Sequence, residues 1–419
     1  MAYIGERERE TQNRVISFFR KQLQYTYIGN LQGCENSNII RDRLYANLIR
    51  RDYTPAIAKK AIDLLERVAG DLREGLYAAN KKVYALLKYG AKIRQKPGET
   101  ERTVYFIDFA DPSQNEFAVA QEVTVAGVCT KRPDLVVYVN GIALAVLELK
   151  RSTVSVSDGI RQNLINQNAH FIQPFFTTMQ FCMAGNESEG LRYGTLLTSE
   201  EHYQEWKADG YEAFADEQDA VDLRIQDAGR NIRERLFFGL LSLFYKDRFL
   251  DLIHNFIVFD RGVKKVCRYN QYYAVKRAQN RLTKKGTGGI IWHTQGSGKS
   301  LTMILLSKWI LARDPMARVL IITDRAELDE QIELTYKGVD ENIVRVKNGA
   351  GLLQRLNGWE DRLLCSLIHK FGRRGREDPD LDYDTYIAEL YAALPDDFSA
   401  KGNIFVFVDE CHRTQSGKL

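Results

Sequence analysis

A glycine-rich loop between an apolar run and a second, helix-like segment is the feature that most constrains the fold of this chain. The loop comprises Thr294, Gln295, Gly296, Ser297, Gly298, Lys299 and Ser300. Residues 288–294 before and within it predict a strand, and residues 300–313 after it predict a helix. This strand–loop–helix order is what a phosphate-binding loop requires. With further strands predicted at 318–324 and 403–410, we expect a parallel α/β sheet.

The chemistry of the loop matches that expectation. Gly296 and Gly298 let backbone N–H groups curl around phosphate oxygens, and the following helix presents its positive end to the anion. Lys299 is expected to reach the β- and γ-phosphates of a nucleotide, and Ser300 to ligate magnesium. His293 replaces the usual first glycine of the pattern. A glycine-rich strand–helix turn without a ligand is the simpler alternative.

A second element sits at the end of an apolar strand, where Asp409 and Glu410 follow residues 404–408. Asp409 is expected to hold magnesium, and Glu410 to polarise the attacking water. An acidic strand end that only caps a turn is the alternative, but the preceding phosphate loop favours ATP binding. Upstream, Tyr269 is a candidate to stack on adenine and Gln271 to read its edge with the amide.

The first half of the chain carries different chemistry. Asp134 precedes the apolar run 135–139, Asn140 and Gly141 mark a turn, and the return strand ends in Glu148-Leu149-Lys150. Residues two apart share a face of a strand, so Glu148 and Lys150 project together. Two carboxylates and a lysine at one sheet end suit metal-dependent phosphodiester hydrolysis, with Asp134 and Glu148 as magnesium ligands. A simple ion pair on an exposed strand end is the competing interpretation.

The register of this hairpin provides a structural test. A two-residue Asn-Gly loop pairs Val139 with Ile142, and therefore sets Asp134 against Leu147, on the face opposite Glu148. One extra residue in the turn, as in a three-residue loop with a glycine bulge, pairs Asp134 with Glu148, so a nuclease site predicts a bulged hairpin. A two-residue hairpin without a compensating bulge would argue against the metal site.

Three polar residues elsewhere are candidates to complete the site. Gln162 and Gln167 lie on a predicted helix, and Glu10 lies near the start of the first helix. For each of them, a solvated helix face is the simpler explanation.

Composition narrows the class of protein. The 419 residues suggest two or three domains, and we place a boundary near residue 255. The formal net charge of +4 excludes a global basic field, so contact with nucleic acid must be local. The six cysteines are scattered, which argues against a zinc site and favours a reducing compartment. No apolar run is long enough to span a membrane, and the N-terminus lacks the apolar core of a signal peptide. We therefore expect a cytoplasmic protein.

The combination of these motifs resembles the restriction (motor) subunit of type I restriction–modification enzymes. Residues 289–301 are similar to that family's first motor motif, including the histidine in place of glycine, and residues 408–417 resemble its second. Residues 161–162, 171–176, 184–186 and 191–194 look like the continuation of its nuclease domain. The resemblance runs from the first helix to Leu419.

The resemblance implies a fold and an activity. It implies a restriction-endonuclease-like mixed α/β nuclease domain with a helical linker over residues 1–255, and a RecA-like parallel α/β motor domain over 256–419. The implied enzyme is a type I site-specific deoxyribonuclease that translocates duplex DNA with ATP and Mg²⁺. The implied partners are methyltransferase and specificity subunits. Asp134, Glu148, Lys150 and Gln162 map onto the nuclease core, although Asn166 stands where the family's glutamine motif has an aromatic residue. Lys299, Ser300, Asp409 and Glu410 map onto the motor site.

Two alternatives stay open at this stage. One is an ATP-binding, helicase-like protein whose N-terminal domain binds DNA or partner subunits without cutting. The other is a truncated subunit that folds but neither translocates nor cuts alone. A translocase needs two motor domains, and few residues follow Glu410, so we expect this chain to be an N-terminal portion without the second motor domain.

Overall fold

The computed structural model describes residues 2–33, 35–95, 100–207, 220–229, 232, 234–323, 326–339, 341–346, 349–367, 394 and 398–409. The chain divides into two compact units, Met1–Asn280 and Arg281–Leu419, which we call the N-terminal unit and the C-terminal unit. Both are mixed α/β structures that contain parallel strands. Within the described residues, no helix combines the length and apolar character needed to cross a bilayer.

The N-terminal unit is built on a six-stranded mixed sheet. Across the sheet the strands lie in the order β1 (Thr26–Asn30), β4 (Phe117–Gln121), β5 (Leu135–Val139), β6 (Ile142–Leu149), β7 (Phe181–Asn186) and β8 (Gly190–Gly194). The pairs β1–β4 and β6–β7 are parallel, and the other three pairs are antiparallel. Two further strands, β2 (Ala91–Ile93) and β3 (Arg102–Val104), come between β1 and β4 along the chain. Two short antiparallel pairs, β2–β3 and β9 (Ile257–Asp260) with β10 (Val263–Val266), stand outside this sheet.

Helices flank this sheet. They are α1 (Ala2–Lys21), α2 (Arg41–Arg50), α3 (Pro55–Ala69), α4 (Gly75–Tyr89), α5 (Val156–Asn166), α6 (Ala220–Gly229), α7 (Arg235–Phe244) and α8 (Lys246–Asn255). A further helix, α9 (Tyr269–Lys285), begins in the N-terminal unit and ends in the C-terminal unit. The α3 helix shows how sequence produces such an element: Thr54 accepts the N–H of Ile57, and Pro55 occupies the first turn. The sequence of this segment also has apolar residues at helical spacing, and Ile57, Ala61 and Leu65 among them are buried.

The position of β5 and β6 in the core explains why their sequences are almost continuously apolar. Every residue of both strands is buried, as expected for central strands covered on both faces. One face of the sheet, with Val136, Tyr138 and Val146, packs against Phe176 and Met179 from the segment before β7. Each buried apolar side chain of this size contributes roughly 1.5–3 kcal/mol. The central strands therefore form a rigid platform whose ends can hold polar groups precisely.

One predicted helix is in fact two. The Leu- and Phe-rich segment at residues 233–249 predicts a single helix from sequence, but α7 ends at Phe244 and α8 begins at Lys246. The intervening Tyr245 has a ψ of 123°, which breaks the helical path. The carbonyl of Phe244 accepts the buried Tyr25 hydroxyl at 2.9 Å, so this helix end is satisfied by a tertiary contact. Local periodicity carries no information about such a partner.

The C-terminal unit contains a four-stranded sheet whose described strand pairs are all parallel. The strand order is β12-β13-β11-β14. Its elements are α10 (Lys299–Arg313), β11 (Ala317–Thr323), α11 (Ala326–Gly338), β12 (Val344–Arg345), α12 (Gly349–Asn357), β13 (Leu363–Leu367) and β14 (Asn403–Val408). The predicted helix at 300–313 and the predicted strands at 318–324 and 403–410 are therefore confirmed, within one or two residues at each described end.

The predicted strand at 288–294 is wrong. These residues have no strand assignment, and the side chains of Ile290 and Trp292 are 76% and 86% exposed. The carbonyl of Gly288 instead accepts a hydrogen bond from the Arg281 side chain at 2.7 Å. A strand exists only where a partner offers its backbone groups, and apolar character alone does not supply that partner.

Candidate functional site

The hairpin of β5 and β6 sets the geometry of the candidate nuclease site. Asn140 and Gly141 both have positive φ angles, 52° and 80°, as a two-residue turn of the I′ type requires. The turn pairs Val139 with Ile142, but the pairing shifts between Val137 and Tyr138. Val137 faces Ala145 while Tyr138 faces Ala143, which leaves Leu144 as an extra residue of β6. The predicted bulge is present, and it lies within the strand and not in the turn.

The bulge brings the two carboxylates to the same place. Leu135 pairs with Leu147, so the same register continued by one residue sets Asp134 opposite Glu148. Oδ2 of Asp134 accepts the backbone N–H of Leu149 at 2.7 Å, across the end of the hairpin. Without the extra residue, the register would place Asp134 against Leu147 and separate the carboxylates by the sheet. The structure therefore brings Asp134 and Glu148 together.

Gln162 connects Glu148 to Lys150. Its Nε2 donates to Oε2 of Glu148 at 2.8 Å, and its Oε1 accepts from Nζ of Lys150 at 2.7 Å. Glu148 is completely buried, and among the described residues its Oε1 has no hydrogen-bond partner. A buried carboxylate oxygen without a donor is costly, and a bound cation is the usual compensation.

Gly159 allows α5 to approach the sheet closely enough for this contact. A Cβ atom at Gly159 would lie 3.0 Å from Cβ of Ala184 and 3.4 Å from Cβ of Glu148. Gly159 and Gln162 are three residues apart and therefore share one face of the helix. The missing side chain at one position thus permits the hydrogen bond at the other.

The choice between Gln162 and Gln167 is clear in the geometry. Gln167 is buried, donates to the carbonyl of Asn163 at 3.0 Å and accepts the N–H of Leu197 at 2.7 Å. Its side-chain amide therefore joins the C-terminal end of α5 to the loop that contains Leu197 through two hydrogen bonds. The structure places Gln162, and not Gln167, at the carboxylates.

A third acidic residue near the site was missed from sequence. Gln12 of α1 accepts from Gln121 at 3.0 Å, which fixes α1 beside this end of the sheet. Glu8 lies one turn before Gln12, and its charge raises the pKa of both Asp134 and Glu148. Glu10, the residue suggested from sequence, is exposed. The i, i+4 spacing of Glu8 and Gln12 was the available signal.

The electrostatics of the pair favour a cation. Burial raises the pKa of Asp134, and the N–H of Leu149 and the charge of Lys150 oppose that rise only in part. Burial also raises the pKa of Glu148 well above its ordinary value, and the neighbouring Asp134 raises it further. Two adjacent buried carboxyls resist ionising together unless a positive charge joins them. The donor set is all oxygen, as Mg²⁺ prefers, although no cluster of three or more acidic, histidine or cysteine ligands occurs among the described residues.

The phosphate loop of the C-terminal unit has the expected backbone. Gly296 and Gly298 have φ angles of 77° and 87°, in the left-handed region that other residues avoid. Ser297 bonds back to the carbonyl of Thr294 through its N–H at 3.3 Å and its hydroxyl at 2.6 Å. Lys299 and Ser300 form the first turn of α10, and the first turn of a helix is the end that favours an anion. Gln295 lies in the turn itself.

The strand ends of the same unit supply polar groups. Asp409 directly follows β14, and its N–H donates to the carbonyl of Ile322 at 2.9 Å. Near the ends of β11 and β13, the buried hydroxyls of Thr323 and Ser366 have no hydrogen-bond partner among the described residues. Ligands of open parallel sheets bind at this carboxyl edge. Glu410 lies outside the described residues.

The candidate adenine contacts occur at the start of α9. Oε1 of Gln271 accepts the N–H of Arg268 at 2.8 Å, and Gln271 is buried, while Tyr269 is half-buried. The side-chain carbonyl of Gln271 therefore caps the N-terminus of α9 by accepting a backbone hydrogen bond. Both residues belong to the N-terminal unit, and their role toward a nucleotide stays a prediction.

Comparison with known proteins finds a family model for each of these two regions and several similar proteins. Residues 5–202 match the model of the type I restriction enzyme R protein N terminus, and residues 270–419 match that of the SWI2/SNF2 ATPase. The putative type I restriction enzyme MjaIXP endonuclease subunit of Methanocaldococcus jannaschii is 28% identical, over 80% of this chain and 32% of its own length. The HindI endonuclease subunit of Haemophilus influenzae is 26% identical, over 88% of this chain and 34% of its own length.

A protein from a third organism shows a similar match. The type I restriction enzyme SauMSSORF170P endonuclease subunit of Staphylococcus aureus is 23% identical over 78% of this chain and 32% of its own length. The chain thus spans about a third of the length of the curated relatives that it matches. Residues 5–202 of this chain are thus similar to the N-terminal region of type I restriction enzyme R proteins, and residues 270–419 are similar to a SWI2/SNF2 ATPase domain.

Proposed function

We propose that the N-terminal unit is a restriction-endonuclease-like nuclease domain that cleaves phosphodiester bonds of duplex DNA. The observation that carries this proposal is the bulged hairpin, which sets Asp134 beside Glu148 while Gln162 joins Glu148 to Lys150. Asp134 and Glu148 would hold Mg²⁺ between them. Bound there, Mg²⁺ supplies Lewis-acid stabilisation of the phosphate and lowers the pKa of a ligated water.

The remaining steps belong to the side chains of the chain itself. The Lys150 ammonium is held by Gln162 at the mouth of the site, where it can orient the attacking water and stabilise negative charge on the phosphate. The N–H of Leu149 donates to Oδ2 of Asp134 and so fixes the orientation of this carboxylate at the end of the hairpin. Hydrolysis forms one bond from the water oxygen to phosphorus and breaks one phosphorus–oxygen ester bond.

For the C-terminal unit we propose a RecA-like motor domain that binds Mg²⁺–ATP. Lys299 would contact the β- and γ-phosphates, Ser300 and Asp409 would hold the magnesium, and Glu410 would polarise the attacking water. The backbone geometry of Gly296 and Gly298 supports the phosphate cradle. Residues 1–255 and 256–419 remain our proposed domain limits.

The proposed whole is the restriction subunit of a type I restriction–modification complex. It would act in the cytoplasm with methyltransferase and specificity subunits, translocate duplex DNA with ATP and cut it. The family relationship supports this assembly.

Plasmid cleavage tests the nuclease proposal against the non-cutting alternative. The chain is incubated with supercoiled plasmid and Mg²⁺, with and without companion subunits and ATP. Asp134→Asn is expected to abolish nicking while ATP binding persists, because the asparagine can still accept the Leu149 N–H but carries no charge. Asp42→Asn, at an exposed position of α2, is the matched control. A wild-type protein that binds ATP but leaves plasmid intact under all conditions would favour a binding role for this domain.

A further inference from the structure

A polar pocket lies at the end of the sheet opposite to the carboxylates. It has a volume of about 400 Å³, and its lining includes Arg43, Asn47, Arg50, Glu116, Phe117 and Lys246. Phe117 pairs with Val139 beside the hairpin turn, whereas Gln121, at the other end of β4, pairs with Leu135. Four residues of strand separate the two ends by roughly 14 Å. The pocket is therefore distinct from the nuclease site.

The charge of the pocket is positive. Arg43, Arg50 and Lys246 supply three cations against the single carboxylate of Glu116, which leaves a net charge of +2. Arg43 and Glu116 form an ion pair, so the excess charge resides on Arg50 and Lys246. Arg50 donates one hydrogen bond, from Nη2 to the carbonyl of Gln114 at 2.6 Å. A guanidinium carries five N–H groups in a fork that suits phosphate, so most of its donors stay available.

Lys246 is the least satisfied cation of the pocket. Its ammonium lies 5.4 Å from the ring centre of Phe117 and 5.9 Å from that of Tyr25. The part of the chain that the structure describes offers Lys246 no ion pair and no hydrogen-bond acceptor. Burial lowers its pKa, and the charge of Asp247 opposes that change only in part. An anion in the pocket would remove this cost.

Asn47 adds a second requirement for a ligand of this pocket, a hydrogen-bond donor. It is buried, and its Nδ2 donates to the carbonyl of Gln114 at 3.0 Å. Its Oδ1 accepts no hydrogen bond from any described residue. A buried amide oxygen that lines a pocket calls for a donor, such as a hydroxyl group.

We propose that this pocket binds a phosphate monoester that also carries hydroxyl groups, of the size of a nucleoside monophosphate. The phosphate would lie between Arg50 and Lys246, and a hydroxyl would donate to Oδ1 of Asn47. The volume is within the range of small-ligand pockets, and the two cations match the charge of a phosphate monoester. The proposal is independent of the nuclease assignment because it involves none of the same residues.

Lysine footprinting on the full chain tests the proposal at the site itself. The rate of acetylation of Lys246 is measured by peptide mass spectrometry as AMP is added, and exposed Lys59 of α3 is the internal control. At about 80% occupancy, AMP is expected to slow acetylation of Lys246 about fivefold and to leave Lys59 unchanged. Because the readout is local, binding of AMP at the phosphate loop cannot imitate it.

Variants and other probes sharpen the result. Arg50→Gln is expected to raise the AMP concentration needed for protection about tenfold, since a charge-assisted contact is worth about 1.5 kcal/mol. Arg67→Gln, a matched change on the exposed face of α3, should leave it unaltered. Equal protection by adenosine would overturn the proposal. Protection by a short DNA duplex without protection by AMP would overturn it too, in favour of a backbone contact.

Discussion

Nε2 of Gln162 donates a hydrogen bond to Oε2 of Glu148 at 2.8 Å, from a helix to the end of a buried strand. The same side chain accepts from Lys150, so a single amide orients both a carboxylate and an ammonium group. A neutral bridge of this kind positions the two charges without cancelling either of them. The relationship makes Gln162 the most informative position at which to perturb the site.

Gln162→Ala should reduce Mg²⁺-dependent plasmid cleavage about 10- to 100-fold, the usual effect of losing a group that orients a metal ligand. The buried Oε2 of Glu148 would lose its donor, which raises the pKa of this carboxyl further, so the loss should be greatest at low pH. Initial rates from pH 6 to 9 measure both effects. Asn168→Ala, at an exposed position just after α5, is the control. A uniform loss at every pH would contradict the proposed orientation of Glu148.

Glu148→Gln should stabilise the metal-free protein at alkaline pH. The pKa of Glu148 is raised in the folded state, so the native protein holds a proton that the unfolded chain has released. Stability from this group is therefore present at acid pH and lost as pH rises through the folded pKa. The variant avoids that loss, and its gain over wild type at pH 8.5 should reach about 1–3 kcal/mol.

Urea denaturation in EDTA at pH 5 and pH 8.5 measures this difference. Addition of Mg²⁺ should stabilise the wild-type protein at pH 8.5 and have little effect on Glu148→Gln, because one ligand is missing. A variant that is less stable than wild type at both pH values would show that the Glu148 charge is already compensated.

Gly159→Val should separate α5 from the sheet. Even a Cβ atom would lie within 3.0 Å of Ala184, and the two further methyl groups of valine have no space. Overpacking of this kind costs about 1–3 kcal/mol, and the displaced helix would withdraw Gln162 from Glu148. We expect a lower urea midpoint together with reduced cleavage. Ile165→Val, at an exposed position of the same helix, is the control, and an active Gly159→Val protein would refute the close-packing argument.

Lys299→Ala should weaken ATP binding at least about tenfold, since a charge-assisted bond to phosphate is worth about 1.5–3 kcal/mol. Titration with a fluorescent ATP analogue measures the change. Lys284→Ala removes an exposed lysine near the end of α9 and should bind as wild type does. Unchanged affinity of Lys299→Ala would remove the phosphate-loop assignment, while the nuclease proposal would be untouched.

Some features of both units follow from local sequence. The apolar runs at 318–324 and 403–410 predicted β11 and β14, and the segment after the glycine-rich loop predicted α10, because the pattern of apolar residues along a chain indicates local helices and strands. The glycines of the phosphate loop were identifiable because positive φ angles exclude most other residues. The need for a bulge between Asp134 and Glu148 also followed from counting residues, since strand faces alternate strictly.

Other features depended on contacts between distant residues. Only the fold placed the bulge at Leu144, selected Gln162 over Gln167 and brought Glu8, not Glu10, toward the carboxylates. Only the fold ended α7 at Phe244 and left residues 288–294 without a paired strand. Each of these features depends on whether a residue far away along the chain is present to pack against or to form a hydrogen bond. The sequence by itself therefore determined which elements and chemical groups this protein has, and tertiary packing decided which of those groups meet.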